Sequence, residues 1–205
     1  MNEKIAYIIK EKLTGLSFVD KIAGLVRPVK INVIKDGVPV LKTFPIATDV
    51  DYELCNSGIY KDLIPDSKYV SILYFEDNGT NFNYLEKRWV SFTSRLTLVC
   101  WLNVKKMQEC TKYTSSTEAI LSILSQLPEH PFNLSAPDDI FREIRISSIS
   151  EVIKSNLIFS RYSYDEINSQ YLLYPFDYFA LNMAVDYKVN LACVEELNMS
   201  PCTCC

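Results

Sequence analysis

The chain has 205 residues, of which 48% are hydrophobic and 22% charged, with a formal net charge of -4 at pH 7. A chain of this length buries roughly 70% of its unfolded surface, so one core suffices without disulfides or metals. The acidic balance disfavours a broad nucleic-acid-binding face, and no apolar run approaches the ~20 residues of a membrane helix. Charges interrupt the amino-terminal segment MNEKIAYIIKEKLTGL, so we expect no export signal and a cytosol-like compartment.

The first predicted elements are a helix and a β-hairpin. Apolar residues recur at helical spacing over Asn2–Leu13, and Gly15 is a plausible terminator. Two alternating apolar runs, 28–34 and Val38–Ala47, then flank the pair Asp36-Gly37, which is a strong hairpin signal. Pro39 indicates an edge position or a bend in the second arm, because proline donates no ladder hydrogen bond.

A second hairpin and a long strand are predicted next. Residues 69–75 form an apolar run, and the sequence EDNG at 76–79 predicts a tight turn with a return arm through Phe82 and Tyr84. Residues 88–104 alternate between an apolar face, broken at Ser94, and a more polar face. At about 3.3 Å per residue, this run spans ~50 Å if it is unbroken.

The remaining elements are a helix, a short strand and a second long strand. Ser115 and Glu118 have the spacing of a capping box, before an amphipathic helix that ends ahead of Pro128. Residues 140–146 predict a short strand, and we interpret 150–159 as helix rather than strand. Every second residue of 178–193 is apolar, which predicts a long half-buried strand.

These elements predict an α+β fold: a mostly antiparallel twisted sheet with long strands and a β-hairpin, and with helices packed on one face. We expect residues 1–197 to form a single domain and 198–205 a short Cys-rich tail. Seven cysteines, an odd and irregularly spaced set, indicate reduced thiols rather than a disulfide framework.

The sequence offers no catalytic constellation. Its one histidine, His130, stands between prolines and is interpreted as an exposed loop residue. The five glycines are too scattered for a dinucleotide fingerprint or a phosphate-binding loop. Asp138-Asp139 is interpreted as a turn. We therefore predict a protein that is not an enzyme and that has no cofactor and no metal.

Two groups of potential metal ligands keep an enzymatic or metal-binding cytosolic protein open as an alternative. Carboxylates at alternate positions suit a hard cation, and clustered thiolates suit zinc or copper(I). The candidates are Asp49, Asp51 and Glu53 in one segment and Cys202, Cys204 and Cys205 at the end of the chain.

Three aromatic residues are candidates for a subunit interface. Trp89 and Trp101 lie on the less apolar face of the 88–104 strand, and Tyr178 begins the last strand. Trp and Tyr are enriched in protein–protein contacts. Two alternatives stay open: the chain's own helices cover this face, or the tryptophans form the aromatic floor of a monomeric binding module.

The two long strands favour self-assembly. A compact chain of 205 residues has a radius of gyration of only ~17 Å, so part of a ~50 Å strand projects from the body. A projecting ribbon is marginal alone and becomes stable when a neighbouring subunit covers its apolar side.

The order of elements resembles the neck and tail-completion proteins of tailed bacteriophages, including tail terminators. Residues 16–47 resemble their segment from first helix to first hairpin, TLVCWLN at 97–103 their central strand, and 174–189 their last strand. The resemblance implies a virion protein, assembled in the host cytoplasm into a ring that is commonly hexameric or twelvefold. It also implies neighbouring portal, neck and tail proteins as partners, no membrane, and transient contact with genomic DNA, for which an acidic lumen is suited.

Overall fold

The computed structural model describes residues 1–49, 61–127, 141–163 and 170–191. In this part of the chain six strands form one sheet, in the order β2-β1-β3-β4-β6-β5, and the β1–β3 pair alone is parallel. The predicted α+β class is confirmed. The elements are α1 (Asn2–Leu13), β1 (Lys21–Lys35), β2 (Val38–Ala47), β3 (Ser71–Glu86), β4 (Trp89–Asn103), α2 (Val104–Cys110), α3 (Ser116–Gln126), β5 (Phe141–Ile153) and β6 (Phe176–Asn190).

Helix α1 has the predicted bounds and buries Ile5, Ile9 and Leu13 against the sheet. Thr14 caps its carboxyl end: the backbone N–H and the hydroxyl of Thr14 both donate to the carbonyl of Lys10, at 3.0 and 2.9 Å. Gly15 follows without a left-handed conformation. The helix therefore ends through a threonine that satisfies a terminal carbonyl, rather than through the predicted glycine.

The first hairpin is confirmed, and β2 has the predicted bounds. Asp36 and Gly37 both have positive φ, at 51° and 79°, as a type I′ turn requires. Strand β2 lies at the sheet edge, so Pro39 removes no hydrogen bond from a central ladder. Strand β1 begins earlier than predicted, at Lys21.

The predicted turn at 76–79 is wrong. Strand β3 continues through it to Glu86, with a register shift against β4 between Asp77 and Thr80 and with Gly79 at φ 99°. The turn lies at 87–88, where Lys87 has φ 54° and Glu86 pairs with Trp89. Asp, Asn and Gly tolerate the positive φ of a bulge as well as that of a turn, so the local sequence does not distinguish the two.

Both long strands are confirmed. Strands β4 and β6 have 15 residues each and pair antiparallel throughout, from Trp89–Asn190 to Asn103–Phe176. Ser115 caps α3 as predicted and accepts from the N–H of Glu118. The Glu118 carboxylate in turn accepts from the N–H and hydroxyl of Thr114, and these hydrogen bonds lower its pKa.

Two other predictions need correction. Strand β5 runs to Ile153, and its register shifts against β6 at three places, which hides the alternation from the sequence. Residues 150–153 therefore belong to a strand, and the expected helix is a single 3₁₀ turn, Asn156–Phe159. Helix α2 was not predicted.

The sheet carries a core on each face. Helices α1 and α3 cover the first face, where Leu96, Leu98 and Phe179 are fully buried. On the second face, Val99, Trp101 and Ala180 pack against Phe159 and Tyr162 of the segment after β5. Helices thus lie on one face as predicted, and a 3₁₀ turn with its flanking residues covers part of the other.

Candidate interaction surfaces

The first hairpin extends beyond the main sheet. Pairing of β1 with β3 ends at Val26–Glu76, whereas β1 stays paired with β2 as far as Lys35–Val38. We call residues 27–46 the hairpin arm. A ribbon of two strands is marginally stable by itself in water, so the packing of this arm decides what it can do.

The base of the hairpin arm is anchored to the body. Phe44 and Ile46 form a small core with Ile64 from the segment before β3. Thr43 exchanges two hydrogen bonds with Ser163: its N–H donates to the Ser163 hydroxyl at 3.2 Å, and its carbonyl accepts from the Ser163 N–H at 2.8 Å. The base of the arm therefore has a defined position.

A buried carboxylate holds the segment that carries Ser163. Glu76 is 6% exposed and accepts from the Tyr162 hydroxyl at 2.6 Å and from the Arg161 guanidinium at 3.2 Å. Burial raises the pKa of Glu76 above its ordinary value, and both partners act against that rise. Both carboxylate oxygens of Glu76 are thus hydrogen-bonded within the chain. Glu76 therefore links β3 to residues 161–163 and is not positioned as an acid or base open to substrate.

The tip of the hairpin arm exposes apolar side chains. Ile34, Val38 and Leu41 are 77%, 60% and 57% exposed. Ile34 and Leu41 project from one face of the ribbon and Val38 from the other, because neighbouring positions of a strand alternate. Apolar exposure on both faces of one element is a sign of a contact surface.

A groove opens on the first face of the sheet, beside the start of α1. It has a volume of about 560 Å³. Its walls include the apolar residues Leu25, Val90, Phe92 and Val189, and its lining also includes the acidic residues Glu3 and Asp77. We call this the α1 groove.

Ser94 fixes the edge of the α1 groove. It is fully buried, and its hydroxyl lies 2.6 Å from Asn2 Oδ1, 2.8 Å from Thr80 Oγ1 and 3.4 Å from the Tyr187 hydroxyl. The Asn2 amide also donates to Asp77 at 2.9 Å. The single polar break in the apolar stripe of β4 therefore holds the first turn of α1 on the sheet. The sequence shows Ser94 as a break in this stripe, but its hydrogen-bond partner in α1 can be identified only once the position of that helix is known.

The three predicted interface aromatics have different environments. Trp101 is 1% exposed; its Nε1 donates to the Tyr171 carbonyl at 2.6 Å and its ring stacks on Phe176. Tyr178 is half-buried against Phe159. Trp101 thus packs inside its own chain and offers no surface to a neighbour, while a contact through Trp89 or Tyr178 stays a prediction.

The common aromatic floor proposed for a binding module is not formed. Trp89 and Trp101 lie near opposite ends of β4, roughly 40 Å apart along an extended strand. Trp89 is half-buried under the Arg142 guanidinium, 5.4 Å from the ring centre. The two rings therefore cannot contact one small ligand.

Most of the predicted metal ligands lie outside the described residues: Asp51, Glu53, Cys202, Cys204 and Cys205, together with His130 and the Asp138-Asp139 pair. Asp49 lines a small cavity with Lys10, Lys21 and Asp62, and Lys21 pairs with Asp62 at 3.0 Å. Within the ranges that the structure describes, no three His, Cys, Asp or Glu residues are grouped to hold a metal ion.

The two described cysteines are free thiols. Cys100 is fully buried in the first-face core, and burial raises the pKa of its thiol well above the ordinary value. It packs there as a small apolar residue, as its position in the stripe predicts. Cys110 is exposed.

No protein-family model matches this chain, and a search of curated proteins finds no similar sequence. Among the helices of the described ranges, none has the length and apolarity to cross a bilayer. The hairpin arm and the α1 groove are therefore the surfaces from which we infer a function.

Proposed function

We propose that this protein is a structural subunit that assembles with copies of itself into a closed ring, at the head–tail junction of a tailed bacteriophage. The observation that carries the self-assembly is the hairpin arm, which extends past the sheet and exposes apolar residues on both faces at its tip. The position in a virion is supported by the resemblance of the element order to phage neck and tail-terminator proteins.

The exposed tip gives a driving force for association. Burial of one large aliphatic side chain is worth about 1.5–3 kcal/mol, and the tip carries three that are more than half exposed: Ile34, Val38 and Leu41. Association also costs rigid-body freedom and side-chain entropy, so the tip needs a complementary apolar surface around it. The anchored base lowers that cost because it fixes the direction of the arm before contact.

An arm at one edge of the subunit favours a ring. A contact between the arm of one copy and a different surface of the next is heterologous, and such contacts generate closed rings or open filaments. A ring around DNA must let the duplex pass, and the net charge of -4 avoids strong attachment to phosphates. The partners are then further copies of the chain, the adjacent portal or neck layer, and the tail.

Solution mass under reducing conditions tests self-assembly, by light scattering with negative-stain imaging of the same peak. We expect a discrete cyclic oligomer for the wild type and a shift to monomer for Leu41→Ser. Leu121→Ser is the matched control, because Leu121 is 61% exposed on α3, against 57% for Leu41. A monomer at every concentration contradicts self-assembly.

The virion position has a separate test. An antibody against the chain should label purified particles of the encoding phage between capsid and tail in negative stain. Label on the capsid surface or at the tail tip would contradict the proposed junction, even for a protein that forms rings.

A further inference from the structure

The α1 groove and the tip of the hairpin arm are complementary in character. The groove walls are apolar through Leu25, Val90 and Phe92. The tip exposes aliphatic side chains of the size that such walls accommodate, at Ile34 and Leu41. Leu25 and Val90 are already buried in the single chain, so contact would chiefly remove from water the exposed tip side chains and the half-buried Phe92.

Their charges are complementary as well. The hairpin arm has three exposed cations, Arg27, Lys30 and Lys35, against one exposed anion, Asp36. The groove lining has the carboxylates of Glu3 and Asp77, and the terminal amino group of Met1 brings one opposite charge. Opposite charges around an apolar centre steer encounter and fix the orientation of the bound element.

The arm of the same chain cannot fill this groove. Leu25 lies in the groove wall, and β1 continues from it as an extended strand, so Ile34 is roughly 30 Å further along. Folding the tip back would break the antiparallel pairs between Val29–Phe44 and Lys35–Val38. The occupant must therefore come from a second copy.

The adjacent edge of β3 is a poorer acceptor than the groove. Beyond Glu76 this strand has no β1 partner, but its ladder with β4 is interrupted between Asp77 and Thr80 and again between Phe82 and Tyr84. Bulges twist an edge away from strand addition. The favoured contact is thus side-chain packing on the sheet face, not extension of the sheet.

We infer that the hairpin arm of one copy docks in the α1 groove of the next, with Ile34 and Leu41 against Phe92 and Val90, and with Lys30, which projects from the same face of the ribbon, near Glu3. This inference rests on the proposed self-assembly and names its contact. Donor and acceptor are different surfaces of the subunit, so repetition of the contact gives the head-to-tail arrangement of a ring.

Photo-cross-linking tests the contact without involving the native cysteines. p-Benzoylphenylalanine replaces Ile34 in the full chain; after irradiation, mass spectrometry maps the linked peptides in isotope-mixed oligomers. We expect links between copies that end in the groove peptides containing Val90 and Phe92. The same probe at Leu121, on the outer side of α3, should give no groove link.

Each outcome is decisive. Oligomers whose Ile34 links end elsewhere overturn the inference and leave self-assembly standing. A chain that stays monomeric overturns both. A monomer that retains a small molecule in native mass spectra, with loss of that mass on Phe92→Ala, makes the groove a ligand site and also overturns the inference.

A charge swap gives a quantitative second measurement. Lys30→Glu and Glu3→Lys are exposed changes that should each weaken the assembly constant by up to about fivefold, as expected for exposed ion pairs. The double variant should return towards wild type. Lys35→Glu with Glu3→Lys is the mismatched control, because Lys35 projects from the opposite face of the ribbon, and this double variant should not return towards wild type. Additive losses in the matched pair would contradict the proposed contact.

Discussion

Val185 and Asp186 are adjacent on β6 and face opposite sides of the sheet. Val185 is fully buried in the first-face core, whereas Asp186 is half-exposed and accepts from the Thr93 hydroxyl at 2.6 Å. Val185→Asp should lower the free energy of unfolding by more than about 3 kcal/mol, since it buries an unpaired charge. Asp186→Ser should cost about 1 kcal/mol or less through the lost hydrogen bond. Urea unfolding in reducing buffer checks both, and equal losses would contradict the register.

Glu76 should make the stability of the fold depend on pH in an unusual direction. Burial raises the pKa of its carboxyl, so the folded state holds this proton at a pH where the unfolded chain has released it. In the pH window above the ordinary carboxyl pKa, the folded state therefore binds more protons than the unfolded state. The contribution of Glu76 to the free energy of unfolding then falls as the pH rises through this window. Carboxylates with lowered pKa values have the opposite dependence.

Glu76→Gln tests this dependence. The amide keeps an acceptor for the Tyr162 hydroxyl and removes the ionisable group. When the free energy of unfolding is measured by urea from pH 5 to pH 8, the wild type should gain stability relative to the variant as the pH falls. Glu118→Gln is the flat control in this range: hydrogen bonds from Thr114 lower the pKa of that exposed carboxyl, so its own pH dependence lies below the ordinary carboxyl pKa. A pH-independent difference for Glu76→Gln would contradict the argument.

At the scale of elements, the hairpin arm should be separable from the core. Strand β1 pairs with β3 before the arm begins, and the first-face core lies elsewhere on the sheet. Replacing 31–42 by Asn-Gly keeps the anchored residue Thr43 and supplies a type I′ turn. The shortened chain should fold cooperatively and remain monomeric. Thermal unfolding by circular dichroism and light scattering measure the two properties; a shortened chain that still forms the wild-type oligomer would contradict the role of the arm.

The elements also show how far local sequence determines this fold. Helix α1, the β1–β2 turn, and strands β4 and β6 were predictable because their periodicity is uninterrupted and their end signals agree. Strands β3 and β5 were not, because their bulges interrupt the period of two and imitate turns or short strands. The difference lies in the regularity of the ladder rather than in the apolar content of the segments.

The candidate surfaces were partly predictable for a related reason. Asp36-Gly37 predicted the hairpin, but projection was expected of the two long strands, whereas β4 and β6 lie inside the sheet and the β1–β2 hairpin extends beyond it. The burial of Trp101 could not be predicted, because it depends on residues 70 or more positions away, including Tyr171 and Phe176. The sequence around β4 gives no indication of these contacts. The α1 groove had no signal of its own, since it exists only where the start of α1 meets the far end of the sheet.

At the scale of the whole molecule, the proposed ring should not hold double-stranded DNA. Non-specific binding to DNA gains its free energy from counterions released when lysines and arginines neutralise phosphates. This chain has 21 such residues against 25 acidic ones, and the contact proposed above places Lys30 of one copy beside Glu3 of another. Assembly thus lowers the number of cations available to phosphates.

An electrophoretic shift assay with duplex DNA at about 50 mM salt, where phosphate contacts are strong, checks this expectation. Assembled wild-type protein should leave the DNA unshifted, and a basic DNA-binding protein in the next lane establishes that the assay responds. Glu3→Lys provides a graded comparison, because it changes the charge of every subunit by two at an exposed position. A wild-type shift that disappears at about 200 mM salt would show that the ring presents its cations together on one surface. The lumen would then bind the genome instead of allowing it to pass freely.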